Sequence, residues 1–94
     1  MFHPKDAKNH MRLVTVSCED ITLALSDMYL NAKQVKALGQ MIDISVQMSI
    51  LYDKVTTPKT SMLYDPKLDF EKVYYQWCTL YTKFLLYHYK AMPK

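Results

Sequence analysis

The sequence predicts an all-α protein, a small helical bundle built on a long antiparallel helix pair with a shorter N-terminal helix. Three observations predict it. Apolar residues recur with spacings of three and four over two segments, 32–55 and 66–91. At 1.5 Å per residue these would span about 36 and 39 Å, and rods of matched length joined by a short connection pack antiparallel. Half of the 94 residues are hydrophobic, with a single Gly and four Pro, which excludes collagen-like, low-complexity and disordered classes. No internal repeat or linker divides the chain, so it reads as one domain. A domain of this size buries roughly 60–65% of its unfolded surface, which leaves modest stability unless it associates.

Residues 1–11 are polar, contain Pro4 and carry His3 and His10. They read as a flexible N-terminal arm, with at most a short helical turn starting at Pro4. The next stretch supports two readings. Arg-Leu-Val-Thr-Val-Ser (12–17) and Ile-Thr-Leu-Ala-Leu-Ser (21–26) both contain β-branched residues and partly alternate, as in an N-terminal β-hairpin followed by two helices. Alternatively Ser17 caps a helix over 18–30, with Asp20 three residues on and Ile21, Ala24, Leu25, Met28 and Ala32 on one helical face. The helix is preferred, because Cys18-Glu19-Asp20 lacks the Asn-Gly or Asp-Gly chemistry of a tight hairpin.

The central helix, 32–55, begins with a capping box, Asn31 with Gln34. Ala37, Met41, Ile44, Met48, Leu51 and Val55 form its core stripe. The opposite side is apolar too: Val35, Ile42 and Val46 alternate with the small residues Gly39, Ser45 and Ser49. Small residues let another backbone approach closely. Gly39 costs about 1 kcal/mol relative to Ala in a helix interior, so it marks close packing or a kink.

The last helix, 66–91, is predicted to start with Asp65 as N-cap and Pro66 at the first helical position. Phe70, Val73, Trp77, Leu80, Phe84, Tyr87 and Ala91 fall on one face, flanked by Tyr74, Tyr81 and Leu85. An aromatic stripe at this spacing is a core face far more often than a stacking or haem site. On the back, Leu68, Tyr75, Leu86 and Tyr89, joined by Thr82, lie within about 60° of one another. A helix with two apolar faces is sandwiched between partners.

Catalysis finds no foothold. The only glycine is Gly39, so no glycine-rich nucleotide loop exists. His3, His10, Cys18, Cys78 and His88 lack ligand spacing on a shared face, so no metal or other cofactor is implied. Asp65, Asp69 and Glu71 are explained by the positive end of a helix dipole rather than by acid–base chemistry. Two cysteines outside any paired motif, with no secretory leader, point to a reducing, cytoplasmic setting. The window 73–89 contains Gln76, Lys83 and His88 and falls short of a membrane span.

The functional expectation is therefore a non-enzymatic protein that acts by helix packing. It would work as a homodimer or other homo-oligomer, or as an accessory subunit or inhibitor docked on a larger complex. Its interface would be formed by Leu68, Tyr75, Leu86 and Tyr89 with Ile42 and Val46, and it would have no small-molecule substrate. Eleven Lys to one Arg and eight Tyr fit an AT-rich coding genome, as phages and parasites often have, and a phage or viral origin is one reading. The alternative is a small nucleic-acid-binding helical protein that uses Lys72, Lys83 and Lys90, with Lys33 and Lys36, against phosphates. Against it stand a net charge of only +3, spread without clusters, and the scarcity of Arg, which makes the bidentate contacts of nucleic-acid readers.

Overall fold

A computed structural model describes residues 2–93 as three helices: α1 (Pro4–Ser26), α2 (Ala32–Thr56) and α3 (Phe70–Ala91). Among the described residues there is no strand, so the hairpin alternative is not supported. The closest packing is between α2 and α3, and α1 lies on that pair, touching α2 more than α3. Gln34 Nε2 at the start of α2 donates to the Met92 carbonyl just past the end of α3 at 3.1 Å, which ties the antiparallel pair together at one end.

The N-terminal third differs from the sequence expectation. Residues 4–11 are not an arm but the first turns of α1, and the helix does not begin at 18. Pro4 occupies the first helical positions, and Ala7, Met11, Thr15, Cys18, Thr22 and Leu25 form one buried stripe with spacings of four and three. Ser17 is not a cap. Its hydroxyl donates back to the Leu13 carbonyl at 2.9 Å, the way a mid-helix serine satisfies itself. The β-branched residues are held helical by what they pack against, notably Thr15, whose hydroxyl accepts the buried Trp77 Nε1–H at 3.1 Å. Tertiary contact outweighs a propensity deficit of a few tenths of a kcal/mol per residue. The helix stops at Ser26, short of residue 30, where the Asp27 and Met28 amides turn back to the Ala24 and Leu25 carbonyls.

In α2 the capping box forms as the sequence indicates: the Gln34 amide donates to Asn31 Oδ1 at 2.9 Å, and the Asn31 amide to Gln34 Oε1 at 2.8 Å. The helix runs unbroken past Gly39 to Thr56.

The start of α3 lies four residues later than expected. Asp65 closes only a local turn, with its Oδ1 accepting from the Lys67 amide at 2.9 Å and its carbonyl accepting from Leu68 N–H. Asp69 is the true N-cap. Its extended backbone bars the helix from passing through, and its side chain accepts from the Lys72 amide at 3.2 Å. Leu68 immediately precedes that cap and Val73 lies at the fourth helical position, and both join the core. This is the spacing of a hydrophobic staple, which fixes how the chain enters the helix.

Trp77, Phe84, Met11, Met41, Met48 and Cys18 are the fully enclosed side chains at the centre. Along the α1–α3 seam Trp77 stacks between Tyr74 and Tyr81, with centroids at 5.9 and 5.8 Å, and His10 meets Trp77 edge-on at 5.1 Å. The molecule is a slab of 45 × 30 × 17 Å with a radius of gyration of 14.9 Å. A compact chain of this length would have about 12 Å. Three long rods therefore share one thin strip of core, and each keeps a long outer face.

Candidate interaction surfaces

The outer face of α3 carries Tyr75, Leu86 and Tyr89, and that of α2 carries Val35, Ile42 and Val46, all between 44 and 80% exposed. Thr79 and Thr82 extend the α3 stripe, so that 75, 79, 82, 86 and 89 follow a four–three spacing. On α2 the sequence 35, 39, 42, 46 follows the same rule, with Gly39 as its second member. A Cβ built on Gly39 would meet nothing within 4 Å, so the glycine answers no packing need inside this chain.

The six expected interface residues do not form one patch. Leu68 is partly buried against the core and leaves the group. Ile42 and Val46 lie about half a turn from the buried Met41, Ile44 and Met48, and Tyr75 and Leu86 about half a turn from Trp77 and Phe84. Because those buried stripes bring α2 and α3 together, the two outer faces look away from each other, on opposite edges of the slab. One flat partner surface cannot cover both.

A third apolar face escaped the sequence reading. Leu13, Val16 and Leu23 lie on α1 opposite its buried stripe and are between 51 and 65% exposed. Treating 1–11 as an arm hid the helical frame that places them together. The signal that would have revealed it is the run 7, 11, 15, 18, 22, 25, which becomes visible once Pro4 is taken as a helix start.

The lysines are spread out along the length of the molecule. Lys90, with Lys33, Lys36, Gln40 and Tyr87, lines a groove between α2 and α3. Lys90 Nζ already lies 5.4 Å from the Tyr87 ring centre. Further along the same side the groove floor is Leu51 and Leu80, with Ile50, Gln47, Gln76 and Thr79 around it. Lys83 is exposed, and Lys72 lies in a shallow depression with the carboxylates Asp69 and Glu71 as neighbours. The three lysines share one flank of α3 but lie about 16 and 10 Å apart along its axis.

Both cysteines are free thiols, and burial, reinforced by the Glu19 charge, pushes Cys18 up to about 11, so it stays a protonated thiol near neutrality. Burial likewise raises the Tyr74 phenol above its ordinary value, aided by a hydrogen bond with Cys78. The Tyr74 hydroxyl and His10 Nδ1 are 2.8 Å apart, which makes His10 a partner within the α1–α3 seam. Among the described residues no three His, Cys, Asp or Glu side chains converge in a way that could hold a metal ion, and no helix is long and apolar enough to cross a membrane.

Comparison of the chain with protein-family models, with characterised proteins and with solved structures yields no match.

Proposed function

We propose that this protein acts without catalysis, as a helical module that binds another protein through the apolar outer faces of α2 and α3. The observation that carries the reading is the stripe Val35, Gly39, Ile42 and Val46. It is apolar, regularly spaced and exposed, and it contains a glycine that nothing in the chain itself requires. The enclosed side chains of Trp77, Phe84, Met11, Met41 and Met48 already fill the centre, so this surface is surplus to the fold. Surplus apolar stripes of four–three spacing are what a partner helix reads, and a glycine within one permits close approach. Tyr75, Leu86 and Tyr89 supply a second, separate edge, so the module can be sandwiched within a larger complex. Two free thiols, one of them enclosed, fit a reducing cytoplasmic setting.

A nucleic-acid reading draws on the groove lined by Lys33, Lys36 and Lys90. It stands second, because Lys90 is already placed on Tyr87, Lys72 lies beside two carboxylates, and the groove floor is Leu51 and Leu80.

A photo-crosslinking residue placed at Val46 and, separately, at Leu86 tests the protein-binding reading in cells that make the protein. A discrete protein adduct is expected at one or both positions, and the Val46 adduct should vanish when Ile42→Lys is added. Absence of adducts at both positions, or adducts indifferent to the lysine, refutes the assignment. Binding to duplex DNA that weakens steeply with salt, with no protein adduct, would install the alternative.

A further inference from the structure

We infer that this protein pairs with a second copy of itself through the outward face of α1, the two helices running antiparallel about Val16. The inference uses a face that the partner-binding reading does not, and it does not depend on that reading.

The apolar part of the contact is Leu13, Val16 and Leu23, exposed on the side of α1 that faces away from α2 and α3. The direction and the occupant follow from charge. Basic residues occupy the first half of the helix, Lys5, Lys8 and Arg12, against Asp6 alone. The second half and the following turn carry Glu19, Asp20 and Asp27, with no Lys, Arg or His anywhere from 13 to 32. This order runs against the helix dipole, which favours acidic residues at the start and basic residues at the end, and the last turn of α1 indeed has no basic residue. A helix that is basic at one end and acidic at the other is complementary to itself only when the copies run in opposite directions.

The register follows by counting. With Val16 on the two-fold axis, residue i faces residue 32 − i of the other copy. Arg12 then lies opposite Asp20, with Glu19 beside it, and Lys5 lies opposite Asp27, and the symmetry repeats both pairs. Leu13 packs toward Val16 of the other copy, and Leu23 lies over Asn9 and the aliphatic stem of Arg12. Lys8 is not needed, since its Nζ sits 5.4 Å from the Phe70 ring centre on its own chain. Asp6, the exception to the charge order, faces the cleft shared with His10, Glu71 and Tyr74, away from the contact. A two-fold contact through the α2–α3 groove would instead set Lys33, Lys36 and Lys90 against their own images, and like charges facing each other are strongly disfavoured. A dimer through α1 leaves the outer faces of α2 and α3 free in both copies, so the assembly presents each partner-binding edge twice.

Sedimentation equilibrium of the full chain tests this, with far-UV circular dichroism confirming helicity of each variant. Below about 100 μM, within the range of small helix contacts, a dimer is expected at low salt that weakens as salt shortens the screening length from about 30 Å toward 3 Å. Arg12→Asp and Asp20→Arg should each raise the dissociation constant roughly tenfold or more, and the double reversal should restore dimerisation to within about threefold of the parent. Val16→Lys should leave a monomer. The inference is overturned by a chain that stays monomeric at low salt, by a dimer indifferent to either reversal, or by a double reversal that fails to restore association. It is equally overturned if Ile42→Lys or Tyr75→Lys breaks the dimer while Val16→Lys does not, because the second copy would then sit on α2 or α3.

Discussion

Gly39→Ala isolates the surplus surface of α2 with a single methyl group. Gly39 lies in the interior of a 25-residue helix with ordinary negative φ, so alanine fits its backbone without strain. The added Cβ meets no atom within 4 Å, so no steric term opposes the change. What remains is the helix preference of alanine over glycine, about 1 kcal/mol, part of it from reduced freedom of the unfolded chain. At about 2.1 cal/mol/K per residue, 94 residues give an unfolding entropy near 0.2 kcal/mol/K, so the melting temperature should rise by about 5 °C. Circular dichroism melts at low protein concentration, alongside urea titration with an unchanged slope, would measure it. An unchanged or lowered midpoint would show that something packs on Gly39, and the reasoning that reads this face as free would fail. If the face is occupied by a partner helix, the same methyl should weaken the Val46 crosslink even as it steadies the monomer. Stability gained and binding lost from one atom is an outcome a purely structural glycine would not produce.

Trp77→Ala should destabilise by about 3–5 kcal/mol, a large share of what a domain of this size possesses, and Trp77→Phe by about 1 kcal/mol through loss of the Thr15 hydrogen bond; chemical denaturation measures both. Leu68→Ala should cost about 1 kcal/mol by removing the staple on α3 and leave the crosslinks at Val46 and Leu86 unchanged. Cys18, 2% exposed with its thiol pushed to about 11, should resist iodoacetamide at pH 8 until the chain unfolds, as peptide mass spectrometry would show. Because its folded pKa lies above its unfolded one, the folded state keeps the proton longer. That contribution to stability is fully present below the ordinary thiol value of 9.0 and is lost as pH rises toward about 11. Cys18→Ala should flatten the fall of the melting temperature across that window, and an equally steep fall would assign it elsewhere, Tyr74 being the next group raised by burial.

Where pattern and local chemistry agree, the chain declares itself. Asn31 with Gln34, followed by Ala37, Met41, Ile44 and Met48, specifies α2 almost to the residue, because cap and core stripe are both read over short distances. Trp77 and Phe84 lie in the centre for the same reason. The start of α3 was harder, since Asp65-Pro66 and Asp69 are both competent beginnings. What decides between them is Leu68 reaching the core, a tertiary event with no local signature. In α1 composition points the other way: Val14, Thr15, Val16, Ile21 and Thr22 have strand preference, and they are helical because Val14, Thr15, Ile21 and Thr22 pack into the core, Thr15 bonding Trp77 across 62 residues.

The interface residues divide along the same line. Exposure of Tyr75, Leu86, Tyr89, Ile42 and Val46 follows from the helical wheel, which is a local property. Their separation onto two edges follows from how α2 meets α3, which the wheel does not contain. The same arrangement explains the shape. Matched rods side by side, with α1 laid across one face, enclose a thin strip of core, and each rod keeps its far side outward. In a thicker bundle those far sides would be inside. Here Val35, Ile42 and Val46 on one edge, Tyr75, Leu86 and Tyr89 on the other, and Leu13, Val16 and Leu23 on α1 are the three positions where an added helix would thicken the slab. The α1 position carries basic residues along its first half and acidic ones along its second, the order that the proposed self-pairing uses. The proposed self-pairing through α1 leaves the apolar centres of the other two stripes for different chains.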